Sequence, residues 1–423
     1  MSDVIITPSE LCGAVTVPPS KSDVHRAIIC AALARGKSRI SPVALSNDIK
    51  ATIGCIEALG AKTQLENDTL TVDGTYTFTN KNATLDCFES GSTLRFLIPV
   101  AASGGVTAEF IGQGRLPERP IGIYTEALPK SGVDCKTQGG LPLVISGELK
   151  SGEFEIPGDV SSQFITGLLL ALPLCDGDSK IILTSPLESA AYIDITIDVM
   201  NKFGVKAQKT DYGYFVEGNQ EYVSCDYKTH GDWSQAAFFM VAGALKGEIT
   251  VNSVDITSSQ GDKEIAEILK RFGAEVTLSE NSVTVKHKEL IATDIDASQI
   301  PDLVPILTVA AAFAKGTTNI TNAGRLRIKE SDRLSAIADA LNSVGAMVFE
   351  LSDGLVIEGK KQIHKGTVNG CNDHRIVMAM SIATLMSTDD ITISDAQSIN
   401  KSYPTFFEDY NKLGGKANVI NLG

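Results

Sequence analysis

No two of the eight cysteines (12, 30, 55, 87, 135, 175, 225 and 371) form a CxxC pair. Scattered cysteines in a chain of 423 residues read as reduced, mostly buried thiols rather than a disulfide frame. Histidine is scarce, five in all, and none falls into HxxxH or HExxH spacing, so no protein-held metal is expected. A surplus of positive charge is missing too. The net charge of −14 leaves no footprint for nucleic acid or for an anionic membrane. No stretch reaches the ~20 apolar residues needed to span a bilayer. The opening MSDVIITPSE has neither a basic region nor a long apolar run, so no signal peptide is expected and the chain reads as cytoplasmic.

What is present is globular in composition, 43% hydrophobic and 21% charged. The length is too great for one ordinary core, so two or more domains are expected. An acidic chain can still bind an anion where Lys and Arg cluster locally.

Internal repetition organises the sequence. Gly60, Gly132, Gly204, Gly273, Gly345 and Gly414 each follow an amphipathic helical pattern, at intervals of 69 to 72 residues. Each fits a left-handed helix cap, after which the chain turns into strand. Strand signals follow at 69–74, 142–147, 214–218, 282–287 and 354–359. A second series interleaves with the first. Small apolar helical runs with polar starts begin near Lys21, Gly91, Ser161, Asp232, Asp302 and Asp373, 70 or 71 residues apart. They are too uniformly apolar for surface helices and should be buried. The polar residues serve as N-caps on the plainest reading. Six in phase, several beside Lys, Arg or Gln, also suit an anion site made of helix N-termini, should two three-repeat domains face each other. EGNQ (217–220) and KTHGD (228–232) mark a crossover between halves.

Several motifs carry charge at such starts. PPSKSDVHRA (18–27) sets Lys21, Ser22 and Arg26 around a first helical turn. Two cations at a positive helix end call for an anion between them, phosphate or carboxylate. GKS at 36–38 is not a P-loop, because Ala31 stands where the earlier glycine is required. GRLPERP (114–120) places Arg115 and Arg119 in a stiff loop. In RLRIKESDRLSAIADALNSVG (325–345), Leu334, Ile337, Leu341 and Val344 form a core stripe, while Lys329, Glu330 and Arg333 gather at the helix entrance. NDHRIVMA (372–379) sets Asp373, His374 and Arg375 at another start, and NKSYP (400–404) adds Lys401.

As an ordered set, PPSKSxxxRA, ERPI, SSQF, YIDIT, GDWSQA, IPD, RxKESDR, NDHR and KSYP resemble the 3-phosphoshikimate 1-carboxyvinyltransferase family over essentially the whole chain. The resemblance implies an α/β fold of two similar domains, each of three βαβαββ-type repeats (an inside-out α/β barrel), with the active site in an interdomain cleft. The implied domains are 19–231, and 1–18 plus 232–423. Shikimate 3-phosphate would meet Lys21, Ser22, Arg26, Ser161, Ser162, Gln163, Ser189, Tyr192, Asp302, Arg325 and Lys329. Phosphoenolpyruvate would meet Lys21, Gly91, Arg119, Gln163, Arg333, Arg375 and Lys401. Asp302 would accept the proton of the attacking 5-hydroxyl. Glu330 or Lys21 would deliver and retrieve the proton at C3, with His374 close by. No metal or organic cofactor is required, glyphosate is the expected inhibitor at the phosphoenolpyruvate site, and a monomer is expected.

The chain departs from the family pattern in three places. Glu89-Ser90 replaces Asn-Ala or Asn-Ser before the glycine, Arg325 stands for Asn, and Phe96 replaces a proline and is expected to tilt its helix. Two rivals are a sister enzyme acting on UDP-N-acetylglucosamine and a non-enzymatic clamp-like ring of six subdomains. The first carries a reactive cysteine in the loop that reads GQGRLPERP here, and the second spreads its basic residues along every repeat.

Overall fold

The six repeat glycines set the rhythm of the chain. In the computed structural model, which describes residues 2–421, all six have positive φ, between 81° and 116°. Gly60 shows why. It follows helix Asn47–Ala58, its N–H returns to the Glu57 carbonyl at 2.9 Å, and the chain then enters strand Lys62–Glu66. A side chain there would meet both the left-handed backbone and the Tyr76 carbonyl, 2.3 Å from an added Cβ.

Five of the turns feed an antiparallel hairpin and the sixth feeds Lys416–Asn421, which pairs with Ser2–Thr7; each antiparallel pair joins a parallel pair, so six separate four-stranded sheets result. In the sheet built on the first hairpin, Lys37–Ser41 lies parallel to Asp226–Lys228 and antiparallel to Thr69–Asp73, which pairs in turn with Lys62–Glu66. Among the described residues no sheet closes on itself; each ends on edge strands such as Lys62–Glu66, which carry mostly exposed residues.

The chain divides into two units, Pro19–Thr229 and Met1–Pro18 with His230–Gly423. The first residues belong to the second unit because both their strands pair there. Ser2–Thr7 runs antiparallel between Ile391–Ile393 and Lys416–Asn421, and Leu11–Thr16 lies parallel to Gly247–Asn252.

Within each unit the apolar runs form the interior. Helices Lys21–Leu33, Gly91–Ser103 and Ser162–Ala171 belong to the first core. Trp233–Leu245, Val304–Ala312 and His374–Ala383 belong to the second, and every residue of Trp233–Leu245 is buried. Leu334, Ile337, Leu341 and Val344 are buried as the stripe requires. Burying such side chains contributes roughly 1.5–3 kcal/mol each, which leaves the helix starts free to carry polar groups.

Gly60→Ala should lower the denaturation midpoint, by about 1–3 kcal/mol of strain. Gly54→Ala is the control: Gly54 is exposed within helix Asn47–Ala58 with nothing within 4 Å of an added Cβ, so stability should hold or rise. Urea unfolding of both variants checks the contrast, and equal losses would discredit the turn argument.

Candidate active site

Five of the six buried helices open on a side-chain cap. Ser20, Ser90, Ser161, Asp232 and Asp373 accept from the backbone N–H of Asp23, Thr93, Gln163, Gln235 and Arg375. The plain N-cap reading therefore holds for five. The sixth helix, Val304–Ala312, has no side-chain cap; Asp302, in the 3₁₀ turn Pro301–Leu303 before it, turns its carboxylate to cations instead.

In the unit Pro19–Thr229, the anion beside Lys21 is part of the protein. Lys21 Nζ donates to Asp48 Oδ2 at 2.7 Å. Arg26 faces inward: its fork reaches Thr196 Oγ1 (2.7 Å), the Ser22 carbonyl (2.7 Å) and the Tyr192 carbonyl (2.9 Å), and burial brings its pKa down to about 10. It thus brackets Ser22 to Tyr192, which lies in helix Ala190–Lys202 behind a left-handed Ser189 (φ 54°). Phe96 is core, and the Arg26 guanidinium stacks over its ring at 4.9 Å.

Gln163 follows capping Ser161 and buried Ser162. Its Oε1 accepts from Arg95 Nη1 at 2.6 Å and its Nε2 donates to Ser92 at 3.0 Å. Arg95 also donates twice to the Pro120 carbonyl, fixing the loop that carries Arg119. The Arg119 guanidinium lies against Gly91, where an added Cβ would stand 2.6–2.9 Å from it. Gly91 therefore makes room for Arg119, which fills the space expected for a ligand. Glu89 lies instead against Gly114.

The second unit holds a denser cluster. Asp302 accepts from Arg333 Nη1 at 3.0 Å and Arg375 Nη2 at 2.9 Å, with Lys329 Nζ 3.7 Å away. Arg333, almost wholly buried, also reaches Glu330 (2.8 Å) and Asp373 (2.8 Å). Three cations thus face three carboxylates, which offset the repulsion among them. Burial would raise the Asp302 carboxyl, but Arg375, Lys329 and Arg333 outweigh it and hold it far below the usual range. Burial brings the Lys329 ammonium down to about 8, against the opposing pull of Asp302. Nearby Asp262 is pushed up to about 7 by burial and then by Asp302. Lys401 donates to the Asn372 carbonyl at 2.5 Å, bracing the turn before Asp373. His374 is buried, its Nδ1 3.7 Å from Asp373 Oδ1. Arg325 donates to the Ser298 carbonyl.

In each unit the structure thus gathers candidate residues around internal carboxylates. Sequence reasoning gave no site role to Asp48, Arg95, Asp373 or Asp262. Asp48 and Asp373 stand in or beside first helical turns, where an acidic residue reads as dipole compensation. Only their partners reveal the second task. No cluster of three or more His, Cys, Asp or Glu suited to a metal occurs among the described residues. No helix among them is long and apolar enough to cross a membrane.

A six-repeat α/β protein with buried arginines and lysines at polar helix starts belongs to a class that binds small polyanions. The model of the EPSP synthase (3-phosphoshikimate 1-carboxyvinyltransferase) family matches residues 5–410. A 3-phosphoshikimate 1-carboxyvinyltransferase from Clostridium novyi is 46% identical over 434 residues, covering 100% of both chains. One from Clostridium perfringens is 48% identical, covering 98% of this chain and 99% of the relative. Among solved structures, EPSP synthase from Acinetobacter baumannii superposes with a TM-score of 0.84 at 26% identity over all of both chains. The enolpyruvyl transferase NikO from Streptomyces tendae, at 18% identity and a TM-score of 0.82, shares the fold. The chain belongs to the EPSP synthase family.

Removing one carboxylate from the Arg333 cluster should be costly. Asp373 is fully buried and its folded pKa is depressed, since Arg333 overrides the effect of burial. Its stabilisation is therefore present above the ordinary carboxylate pKa and lost as pH falls below it. Asp373→Asn should cost on the order of 3 kcal/mol at pH 7, with the gap to the wild type closing below about pH 4. Denaturant unfolding at both pH values measures it, and a gap that widens in acid would refute the pairing.

Proposed function

We infer that the chain transfers the enolpyruvyl group of phosphoenolpyruvate to the 5-hydroxyl of shikimate 3-phosphate, releasing phosphate. The observation that carries the mechanism is the Asp302 carboxylate enclosed by Arg333, Arg375 and Lys329. The hydroxyl oxygen attacks C2, its proton passes to Asp302, and C3 takes a proton from Glu330 or Lys21. The resulting ketal phosphate then loses a C3 proton and phosphate, leaving the enol ether. Positioned acid–base groups of this kind contribute roughly 10²–10⁴-fold in rate.

At rest Asp302 is a poor base, because its cations hold it ionised. Anionic substrates draw Arg333, Arg375 and Lys329 onto their own oxygens, so the carboxylate gains basicity as the hydroxyl arrives. Shikimate 3-phosphate uses Lys21, Ser22, Ser161, Ser162, Gln163, Ser189, Tyr192, Asp302, Arg325 and Lys329, with Arg26 bracketing Ser22 to Tyr192. Phosphoenolpyruvate uses Lys21, Gly91, Arg119, Gln163, Arg333, Arg375 and Lys401, and His374 lies beside the last arginine. A thiol mechanism has no support. Cys135 lies on strand Val133–Lys136 with its thiol pushed up to about 11 by burial and then Asp134, and the loop at 114–120 has no cysteine.

Phosphate release with shikimate 3-phosphate, set against UDP-N-acetylglucosamine, tests the assignment; release with the second acceptor alone would overturn it. Asp302→Asn and Glu330→Gln should each lower kcat by roughly 10²-fold or more while shikimate 3-phosphate still binds. Near-normal turnover in either variant would remove that residue from the mechanism. Cys135→Ser should leave the rate unchanged.

Two further outcomes follow from the geometry. Lys329 loses its charge as pH rises through about 8, so KM for shikimate 3-phosphate should climb above that pH in the wild type but not in Lys329→Met. Gly91→Ala should push Arg119 aside, weakening phosphoenolpyruvate and weakening the longer glyphosate more. Equal losses, read from KM and the inhibition constant, would separate Gly91 from inhibitor selectivity.

A further inference from the structure

The unit Pro19–Thr229 contains a buried chain of polar side chains that the reaction does not use. His25 Nδ1 meets Thr52 Oγ1 at 2.6 Å, Thr52 Oγ1 meets Thr93 Oγ1 at 2.7 Å, and Thr93 Oγ1 donates to Ser90 Oγ at 2.7 Å. All four residues are at most 1% exposed. The chain closes when His25 Nδ1 carries the proton: Thr52 then donates to Thr93, and Thr93 to Ser90. His25 is held neutral by burial, then by Lys21 and Arg26. Its Nε2 has no hydrogen-bond partner and Phe96 stands edge-on at 6.4 Å, so Thr52 is the ring's polar attachment.

The ends of this chain lie beside groups assigned to phosphoenolpyruvate. His25 lies one turn along the helix that begins at Lys21. Ser90 caps the helix that begins at Gly91, the residue against which Arg119 rests. Thr52 sits in helix Asn47–Ala58, four residues after Asp48, the carboxylate that holds Lys21. A single hydroxyl therefore ties together the starts of three helices. Burying so many polar groups is costly unless every link is made, and an apolar core would supply the same stability without that cost. What hydroxyls add is a defined distance and direction.

We propose that Thr52 is a positioning residue for phosphoenolpyruvate, holding Lys21 and the Gly91 helix start, with Arg119, at the spacing that this ligand's anionic groups require. This rests on the enolpyruvyl-transfer reading above. Shikimate 3-phosphate, held by many more residues, depends on the tie far less.

Steady-state kinetics of Thr52→Val and Thr52→Ser tests it. Thr52→Val keeps the shape and removes the hydroxyl; KM for phosphoenolpyruvate should rise about tenfold, with KM for shikimate 3-phosphate and kcat within about threefold of wild type. Thr52→Ser should restore the phosphoenolpyruvate KM, which simple loss of packing would not allow. Should Thr52→Val fail to fold, Thr93→Val breaks the same tie from its other end and should show the same split. Equal rises for both substrates, no rise, or a serine variant as impaired as the valine one would overturn the proposal. Wild-type phosphate release, measured alongside, keeps the two readings apart. Without it the functional assignment fails; with it and an even split, only the role of Thr52 does.

Discussion

A cation in a protein interior must be neutralised whether or not its ligand is present. Removing an ion from water costs several kcal/mol even after relaxation, so an arginine as deeply buried as Arg333 needs carboxylates of its own. Asp302, Glu330 and Asp373 supply them, and Asp48 does the same for Lys21. The rest of the structure serves this constraint. The cationic groups are aligned by these internal carboxylates, and the energy of alignment is spent in folding. In the proposed function, each ligand must win its cations from an internal competitor.

The repeat plan makes such clusters possible. Six apolar helices bury nearly all of their surface, so their polar chemistry is confined to the helix starts. Five starts retain a cap, which satisfies the backbone and keeps the acceptor local. Asp373 does both tasks at once, capping its helix through one oxygen while the other takes Arg333 and Ser331. Capping and ion pairing compete for the same lone pairs, and a carboxylate has enough for both where a serine hydroxyl has not.

Much of the fold was legible because its signals are local. Glycine spacing, helical apolar runs and short strand patterns each depend on a few neighbouring residues, and the left-handed glycines stand where the pattern required them. The site was legible as a collection of residues rather than as an arrangement. Lys329, Glu330 and Arg333 were adjacent in sequence and stayed adjacent in space. Asp48 lies 27 residues from Lys21 and Asp373 lies 40 from Arg333, and no periodicity links either pair. The inward turn of Arg26 was hidden likewise, since its partners Thr196 and Tyr192 come from another repeat. Gly91 is the instructive case. Its open side holds Arg119, a long-range packing fact that composition does not carry.

The exception among the helix starts points to the chemistry more directly than any motif. A carboxylate spent on capping accepts backbone N–H donors, which favour its charged form permanently and move with nothing. Asp302 leaves its helix uncapped and takes cationic side chains instead. Its basicity then depends on where those side chains point, and in the proposed mechanism the anionic substrates redirect them. A permanently capped aspartate cannot serve as a base on demand, whereas one masked by ligand-binding cations can. In the proposed mechanism, the missing cap at Val304–Ala312 is what leaves the Asp302 carboxylate to these cations rather than to backbone N–H groups.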